Sequence, residues 1–240
     1  MKVYLLLIIA IASHGLSFAQ NNHSPNHANR FEAHLSGEVY IPPVIHSGSQ
    51  WFISDWCNGS VILKTGEKVN QVLLRYNGFL DELFWLTPDN YDQIRLDKLL
   101  ISSFVLNPTG SGQQLHFKNM SVSGILGGSR ENVFMQVLYE GDISLFVIRK
   151  IRLTGGTTSV MVGDVLVPRQ IIGPDYLYYL QRMGSEPEPI LPNRRALINT
   201  FPEHRQEIRQ ALRRNHNRVR TEIQFIEAIA IIDRIIAAKD

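Results

Sequence analysis

The clearest structural pattern in this sequence is Ser60-Val-Ile-Leu-Lys-Thr-Gly-Glu-Lys-Val-Asn-Gln-Val-Leu-Leu-Arg-Tyr-Asn-Gly78. Its two apolar runs, residues 60–64 and 68–76, flank the turn sequence Thr65-Gly66-Glu67, and this arrangement predicts a β-hairpin. Asn77 and Gly78 follow directly, and both tolerate the positive φ angles that tight turns require. The chain is therefore expected to form two antiparallel strands here and to turn again after the second.

The same alternation of short apolar stretches and turn residues extends over residues 51–182. Candidate strands follow at 80–86, 93–98, 99–106, 114–118, 133–139, 143–153, 160–167 and 176–180. The turns that separate them are clearest at 107–112, 127–128, 141–142 and 154–156. Short strands without helical patterns between them predict an antiparallel sandwich or barrel rather than a parallel sheet.

The periodicity becomes helical after residue 192. Residues 183–192 carry several prolines, which neither a helix nor a central strand accommodates, and are interpreted as a linker. Asn193 is expected to cap a short helix over 194–199, and the capping-box spacings Thr200–Glu203 and Thr221–Gln224 predict the starts of two more. The fold class is therefore mainly β, followed by a C-terminal α-helical segment of two to three helices over 193–240.

The final helix carries an apolar stripe whose members follow i, i+3 and i+4 steps: Phe225, Ala228, Ile229, Ile232 and Ile236. This stripe predicts packing against the β domain, with a partner-binding surface as the alternative. A candidate interaction surface is formed by the arginines of the preceding helix and by two isoleucines off the stripe: Arg205, Arg209, Arg213, Arg214, Ile223 and Ile231.

The N-terminus has the layout of a secretory signal peptide. Lys2 precedes an apolar run over 3–12, and Ser17 and Ala19 place small residues before Gln20. This pattern predicts cleavage after Ala19 and export of the remaining chain. The apolar run is about half of what a membrane-spanning helix requires, so no transmembrane helix is expected after cleavage.

Residues 20–50 are interpreted as a polar leader and the segment that leads into the β domain. The leader contains imidazoles at positions 23, 27 and 34, which share a metal ion in one interpretation and are merely solvated in the preferred one. No cofactor or metal site is assigned.

The charge balance excludes a general nucleic-acid binder. The chain has 24 Lys and Arg against 22 Asp and Glu, a net charge of +2, whereas nucleic-acid binders normally present a strongly basic face. By segment, Lys2 contributes a positive charge, residues 20–192 are acidic overall and 193–240 are basic. The basic tail is expected to dock on its own β domain or to be solvated, with an anionic envelope surface as the alternative partner.

Nucleophilic and phosphate-binding motifs are missing from the sequence, so no catalytic residue is assigned. The single Cys57 cannot form an intramolecular disulfide and is expected to be a small buried hydrophobe; a catalytic thiolate and an intermolecular disulfide are the alternatives. The paired carboxylates Asp81-Glu82 and Asp89/Asp92 are expected at strand ends.

Aromatic side chains offer a second possible site. They pack in the core or line a sugar- or ligand-binding face, and the residues concerned are Tyr176, Tyr178, Tyr179, Trp51, Trp56 and Trp85.

The order of several segments resembles a known group. These segments are Gly59–Gly66, Val72–Asn77, Asp81–Leu83, Gln136–Gly141, Leu145–Lys150, Tyr178–Leu180, Ala196–Phe201 and Ile208–Arg214. Together with the signal peptide, they resemble a group of uncharacterised exported proteins from Bacteroidetes-type bacteria. The resemblance implies a β-rich periplasmic or envelope protein with a C-terminal helical tail, and it implies no catalytic residues.

The sequence thus predicts an exported envelope protein that acts as a non-catalytic binding module. Its expected partner is another envelope protein or an anionic envelope surface. A small-ligand or glycan binder, or a hydrolase, with an aromatic-lined β cleft is the first alternative. An outer-membrane β-barrel is the second, and the helical C-terminus disfavours it.

Overall fold

The computed structural model describes Leu35 and residues 37–40, 46–123 and 130–238. The predicted signal peptide, the imidazoles at 23, 27 and 34, and the turn at 127–128 lie outside the described residues. The strands within them are β1 (Gly37–Val39), β2 (His46–Ser47), β3 (Cys57–Leu63), β4 (Lys68–Asn77), β5 (Glu82–Leu86), β6 (Gln93–Leu96), β7 (Ile101–Asn107), β8 (Leu115–Val122), β9 (Glu131–Tyr139), β10 (Ile143–Ile148), β11 (Ile151–Val162), β12 (Val165–Pro174), β13 (Leu177–Arg182) and β14 (Glu188–Ile190). The helices are α1 (Arg194–Thr200), α2 (Arg205–Arg214) and α3 (Glu222–Ala237).

Eleven of these strands form one sheet in the order β1-β6-β5-β4-β3-β7-β8-β9-β10-β13-β14. Every neighbouring pair in it is antiparallel, as expected when short turns join sequential strands. The sheet is not closed into a barrel, because β1 and β14 form its two ends. The mainly β class with C-terminal helices is therefore confirmed.

The opening stretch forms the predicted hairpin. β3 and β4 pair from Ile62↔Lys68 to Cys57↔Leu74, and the register shifts at Gly59/Ser60. Gly66 in the turn has a φ of 91°, in the left-handed region where glycine carries no steric penalty. The hairpin forms the centre from which the sheet extends to both sides.

One predicted turn is wrong, and a long β-hairpin is found in its place. Residues 154–156 do not separate two strands but lie inside β11, where the pairing register shifts between Leu153 and Thr157. Gly155, with a φ of 80°, provides the backbone freedom that this bulge requires. The turn lies instead at Gly163 and Asp164, within the stretch 160–167 that was predicted to be one strand. β11 and β12 therefore form one long hairpin.

An aromatic cluster fills the core of the large sheet. Phe104 and Phe117 are stacked with their centroids 4.6 Å apart, and Phe134 lies edge-on to Phe104 at 5.1 Å. Tyr76 packs against the same rings. Cys57 is buried in this core with 1% of its surface exposed, which confirms its prediction as a small buried hydrophobe.

The three helices cover the end of the sheet formed by β10 and β13. The predicted stripe on α3, represented by Phe225, Ile229 and Ile232, packs against Leu145 and Leu180 of these strands. Because side chains alternate along a strand, the odd-numbered Tyr179 of β13 belongs to a separate cluster on the other face. The packing of the final helix on the β domain is thus confirmed.

Two of the three predicted helix starts are confirmed. The Asn193 side chain accepts a hydrogen bond from the backbone nitrogen of Ala196, and Thr221 accepts one from Gln224. The predicted start at Thr200 is wrong. Thr200 ends α1, where its hydroxyl donates to the carbonyl of Ala196, and α2 begins five residues later at Arg205.

The proline-rich segment 183–192 contains the short edge strand β14, which pairs with β13. Pro189 lies within it, opposite Tyr179. Proline has no N–H to donate, and an edge strand tolerates this because only one of its two sides is hydrogen-bonded to a neighbouring strand.

No helix among the described residues is long and apolar enough to cross a membrane.

A substitution at Gly141, in the β9–β10 turn, tests how closely α3 approaches the sheet. A Cβ atom at this position would clash with Oδ2 of Asp233 on α3. That carboxylate accepts hydrogen bonds from the Tyr139 hydroxyl and from the backbone nitrogen of Ile143, both at 2.8 Å. Gly141→Ala is expected to lower the free energy of unfolding by about 2 kcal/mol, because the displaced carboxylate leaves a buried N–H without a partner.

Urea denaturation measures this effect. The matched control is Asp142→Ala in the same turn, whose exposed side chain makes its change about 0.5 kcal/mol or less. Equal stability of Gly141→Ala and the unsubstituted protein would show that α3 does not approach the turn so closely.

Candidate functional site

Only part of the predicted interaction surface on the helical tail is exposed. Its four arginines are exposed along α2, and Ile223 at the start of α3 is 70% exposed. Ile231 is only 9% exposed and belongs to the core beneath the helices. Ile231 therefore does not belong to an exposed surface, because residues of α3 outside the predicted apolar stripe are buried as well.

A polar network fixes the N-terminal end of α3 to the sheet. The guanidinium of Arg149, directly after β10, donates two hydrogen bonds to the Glu222 carboxylate, at 2.7 and 2.9 Å. Its Nε donates to the side chain of Gln136 on β9 at 2.6 Å, and the Tyr178 hydroxyl donates to Glu222 at 2.9 Å. Such a two-pronged pairing specifies direction as well as distance.

Burial and charge set the ionisation of this network. Burial raises the pKa of Glu222, but the hydrogen bonds and positive charge of Arg149 outweigh it, so the net pKa is lowered. Burial, followed by the hydrogen bond to Glu222, raises the pKa of Tyr178 to about 12. The carboxylate is therefore charged and the tyrosine neutral at neutral pH, which suits a structural pairing.

The Arg149 guanidinium is also enclosed by aromatic rings. It lies 5.1 Å from the ring centroid of Phe52 and 4.7 Å from that of Tyr176. Only 6% of the residue is exposed, so water does not compete with these contacts. Sequence reasoning missed Arg149, since no local pattern distinguishes it from the neighbouring Lys150.

The paired carboxylates Asp81 and Glu82 lie in a pocket of about 610 Å³, which Arg95 and Lys98 also line. Asp81 accepts hydrogen bonds from the Tyr76 hydroxyl at 2.6 Å and from Nζ of Lys98 at 2.5 Å. Burial raises the pKa of Asp81, and the charge of Lys98 opposes this increase.

The contacts of Asp81 identify it as a structural residue. Its backbone has a φ of 59°, and its carboxylate also accepts a hydrogen bond from the backbone nitrogen of Phe134. A carboxylate with three donors stabilises this left-handed turn and the adjacent core. Asp89 and Asp92 do not line the same pocket. No group of three or more His, Cys, Asp and Glu side chains in the described part of the chain is placed to bind a metal ion.

The predicted aromatic residues are divided between three places. Tyr176, Tyr178 and Tyr179 line a groove of about 350 Å³ together with prolines and Leu191 of the 187–192 segment. Trp51 and Trp56 lie instead against Arg75, with ring centroids 3.8 and 4.6 Å from its guanidinium carbon, and Trp85 packs against the core. A single aromatic-lined face is therefore not formed.

A group of exposed apolar side chains lies at the end of the long β11–β12 hairpin. Apart from a two-residue pairing of β12 with β2, no other described element packs extensively against these strands. We call residues 157–169 the arm. At its end, four apolar side chains that we call the arm tip are 49–64% exposed: Met161, Val162, Val165 and Leu166.

Sequence reasoning missed the arm because its composition is that of a buried strand. Residues 160–162 and 165–167 are apolar without alternation, which normally indicates a strand covered on both faces. The signal that would have revealed the turn is Gly163-Asp164, a dipeptide that favours tight hairpins when it lies between two apolar runs.

No family model, curated protein or solved structure matches this chain.

The charged state of Glu222 makes the docking of α3 dependent on pH. A carboxylate whose pKa is lower in the folded than in the unfolded state stabilises the fold fully above the unfolded value, and this contribution is lost as the pH falls through the folded value. Removing the charge with Glu222→Gln should cost about 2 kcal/mol of unfolding free energy at neutral pH. The difference from the unsubstituted protein should shrink below about pH 4.5, the ordinary value for a glutamate.

Denaturant unfolding over a range of pH checks this expectation. Glu227→Gln on the exposed side of the same helix is the control and should show no such pH-dependent difference. A cost for Glu222→Gln that stays constant from neutral to acidic pH would contradict the assigned role of the charge.

Proposed function

We propose that the protein is an exported, non-catalytic interaction module of the cell envelope and that the arm is its contact element. The exposed arm tip is the observation that carries the proposal. Apolar side chains exposed together at the end of an extended hairpin mark an interaction site in soluble proteins. Export is proposed from the signal-peptide pattern over residues 1–19.

The packing of the helical tail favours the arm tip over the predicted tail surface as the contact element. α3 is held by Glu222 at its first turn and by Asp233 near its C-terminal end, and its stripe is buried. Of the predicted tail surface, the arginine row of α2 and Ile223 remain exposed, and such a mainly polar composition is typical of a solvated helix face. The arm tip, by contrast, has no charged residue among its four members.

Cell fractionation of an expressing Gram-negative host tests the proposal. The unsubstituted protein is expected in the envelope fraction. Met161→Thr/Leu166→Thr is expected to move most of it to the soluble exported fraction, because threonine keeps the strand propensity and removes most of the apolar surface.

Two controls separate the arm from the tail. Ile223→Gln and Arg205→Gln/Arg209→Gln change the predicted tail surface and should leave the distribution unaltered. Loss of envelope association in these variants but not in the arm variant would assign the contact to the tail. The mass of the recovered protein tests export, since removal of residues 1–19 is expected.

A second candidate function is the binding of a small ligand or glycan in the groove lined by Tyr176, Tyr178 and Tyr179. The observation in its favour is a groove of about 350 Å³ lined by tyrosines and by the prolines of the 187–192 segment, since aromatic rings can stack on a sugar ring. Tyr178 is already engaged by Glu222 and Tyr179 is buried, so the available groups are the partly exposed rings of Tyr176 and Tyr178.

Saturation-transfer NMR with maltose and chitobiose as probes tests this second candidate. Leu191→Asp, at the exposed rim of the groove, should abolish transfer to a bound sugar because it introduces a charge beside the rings. Ile223→Gln should retain it. An absence of transfer to either sugar in the unsubstituted protein would count against sugar binding in this groove.

A further inference from the structure

We propose that the arm inserts its tip into the interfacial region of an anionic lipid membrane. This inference rests on the proposed function, because it names the partner of the same arm. It is carried by the distribution of apolar side chains around the hairpin, by the length of the apolar segment and by the position of a basic residue.

The arm tip is apolar on both faces of the ribbon. Met161 pairs with Leu166 and Val162 pairs with Val165, and adjacent pairs point to opposite faces. The first pair is 57% and 64% exposed, and the second 49% and 63%. A protein surface against which a two-stranded ribbon lies covers one of its faces, whereas a lipid interface surrounds both.

The length of the apolar segment fits the interface. Three successive pairs, from Val162↔Val165 to Val160↔Val167, contain only apolar side chains. At about 3.3 Å per residue they extend about 7–10 Å, comparable to the depth to which interfacial elements penetrate the boundary between headgroups and acyl chains. The residues next in line towards the body of the protein, Ser159 and Pro168, end this segment.

The basic residue of the arm lies where lipid phosphates would be. Arg169 is four residues from Val165, about 13 Å along the strand. A guanidinium at that distance from the tip reaches the headgroup layer when the tip is inserted, and an anionic surface attracts it. Arg152, farther along the hairpin, is instead paired with Asp175.

Two features limit the depth of insertion. None of the described strands pairs with the outer edge of β11, so its N–H and C=O groups must remain within reach of water. Asp164 in the turn places a carboxylate at the leading end of the arm, where desolvation opposes deeper entry. The arm is therefore an interfacial anchor of moderate strength rather than a membrane-spanning element.

Flotation of the purified, host-processed protein with lipid vesicles tests the inference. Vesicles of phosphatidylethanolamine and phosphatidylglycerol should bind the protein, and vesicles of phosphatidylcholine alone should bind it more weakly. Met161→Thr/Leu166→Thr should weaken binding at least about tenfold, since it removes most of the exposed apolar area of one face. Asp164→Asn should strengthen binding severalfold, because it removes the charge at the leading end.

A fluorescent label provides the second readout and the matched control. Because Cys57 is buried, a cysteine introduced by Leu166→Cys can be labelled selectively with an environment-sensitive dye. Its emission should shift to shorter wavelength on addition of anionic vesicles and should be quenched by a quencher within the bilayer. The same label after Ile223→Cys should show neither effect.

The outcomes distinguish this inference from the proposed function. Envelope association that depends on the arm tip, without vesicle binding, would overturn lipid insertion and leave a protein as the partner of the arm. Dimerisation in analytical ultracentrifugation that the same substitution abolishes, again without vesicle binding, would identify a second copy as that partner. Vesicle binding that Met161→Thr/Leu166→Thr leaves unchanged would also overturn the inference, and vesicle binding without envelope association in cells would overturn the proposed function alone.

Discussion

The position of the last helix on the β-sheet depends on the pairing of Arg149 with Glu222. A guanidinium that is 6% exposed cannot remain without a partner, since an isolated buried charge costs several kcal/mol. Glu222, Gln136 and the rings of Phe52 and Tyr176 together satisfy it. Because Glu222 is the first residue of α3, the same pairing sets where the last helix begins on the sheet.

A second polar contact defines the direction of that helix. Asp233 lies three turns along α3 from Glu222 and accepts hydrogen bonds from Tyr139 and from the backbone of Ile143. Two polar contacts at separate points along α3 fix its direction on the sheet, whereas apolar packing alone would allow the helix to slide and rotate. Buried polar groups of this kind cost stability when one partner is lost, and in exchange they specify one arrangement.

This arrangement decides which surfaces are available for function. The helical tail is fixed to the sheet, and Ile231 is enclosed with it. The carboxylates in the Asp81 pocket are similarly engaged, by Tyr76, Lys98 and Arg95. The arm tip, by contrast, exposes four apolar side chains close together, which supports an interaction role for the arm rather than for the tail.

Local patterns in the sequence were sufficient for the strands around residues 60–78, for the caps at Asn193 and Thr221, and for the buried stripe of α3. Each of these depends on contacts within one turn or one hairpin, or on a repeat that every turn of a helix obeys. They failed where local signals were ambiguous: Thr200 resembled a helix start, and residues 154–156 resembled a turn although Gly155 forms a bulge.

The fold class could be predicted from the amino-acid pattern, because alternation, turn residues and capping side chains act over a few neighbouring positions. The pairing of Arg149 with Glu222, 73 residues away, and the exposure of the arm tip depend on how distant elements pack together. A strand whose residues are all apolar has the same pattern whether its two faces are covered or exposed, since the difference lies in the other elements that surround it. In this protein, the apolar runs 160–162 and 165–167 have the pattern of a buried core strand, but they form the proposed interaction site because no described element covers them.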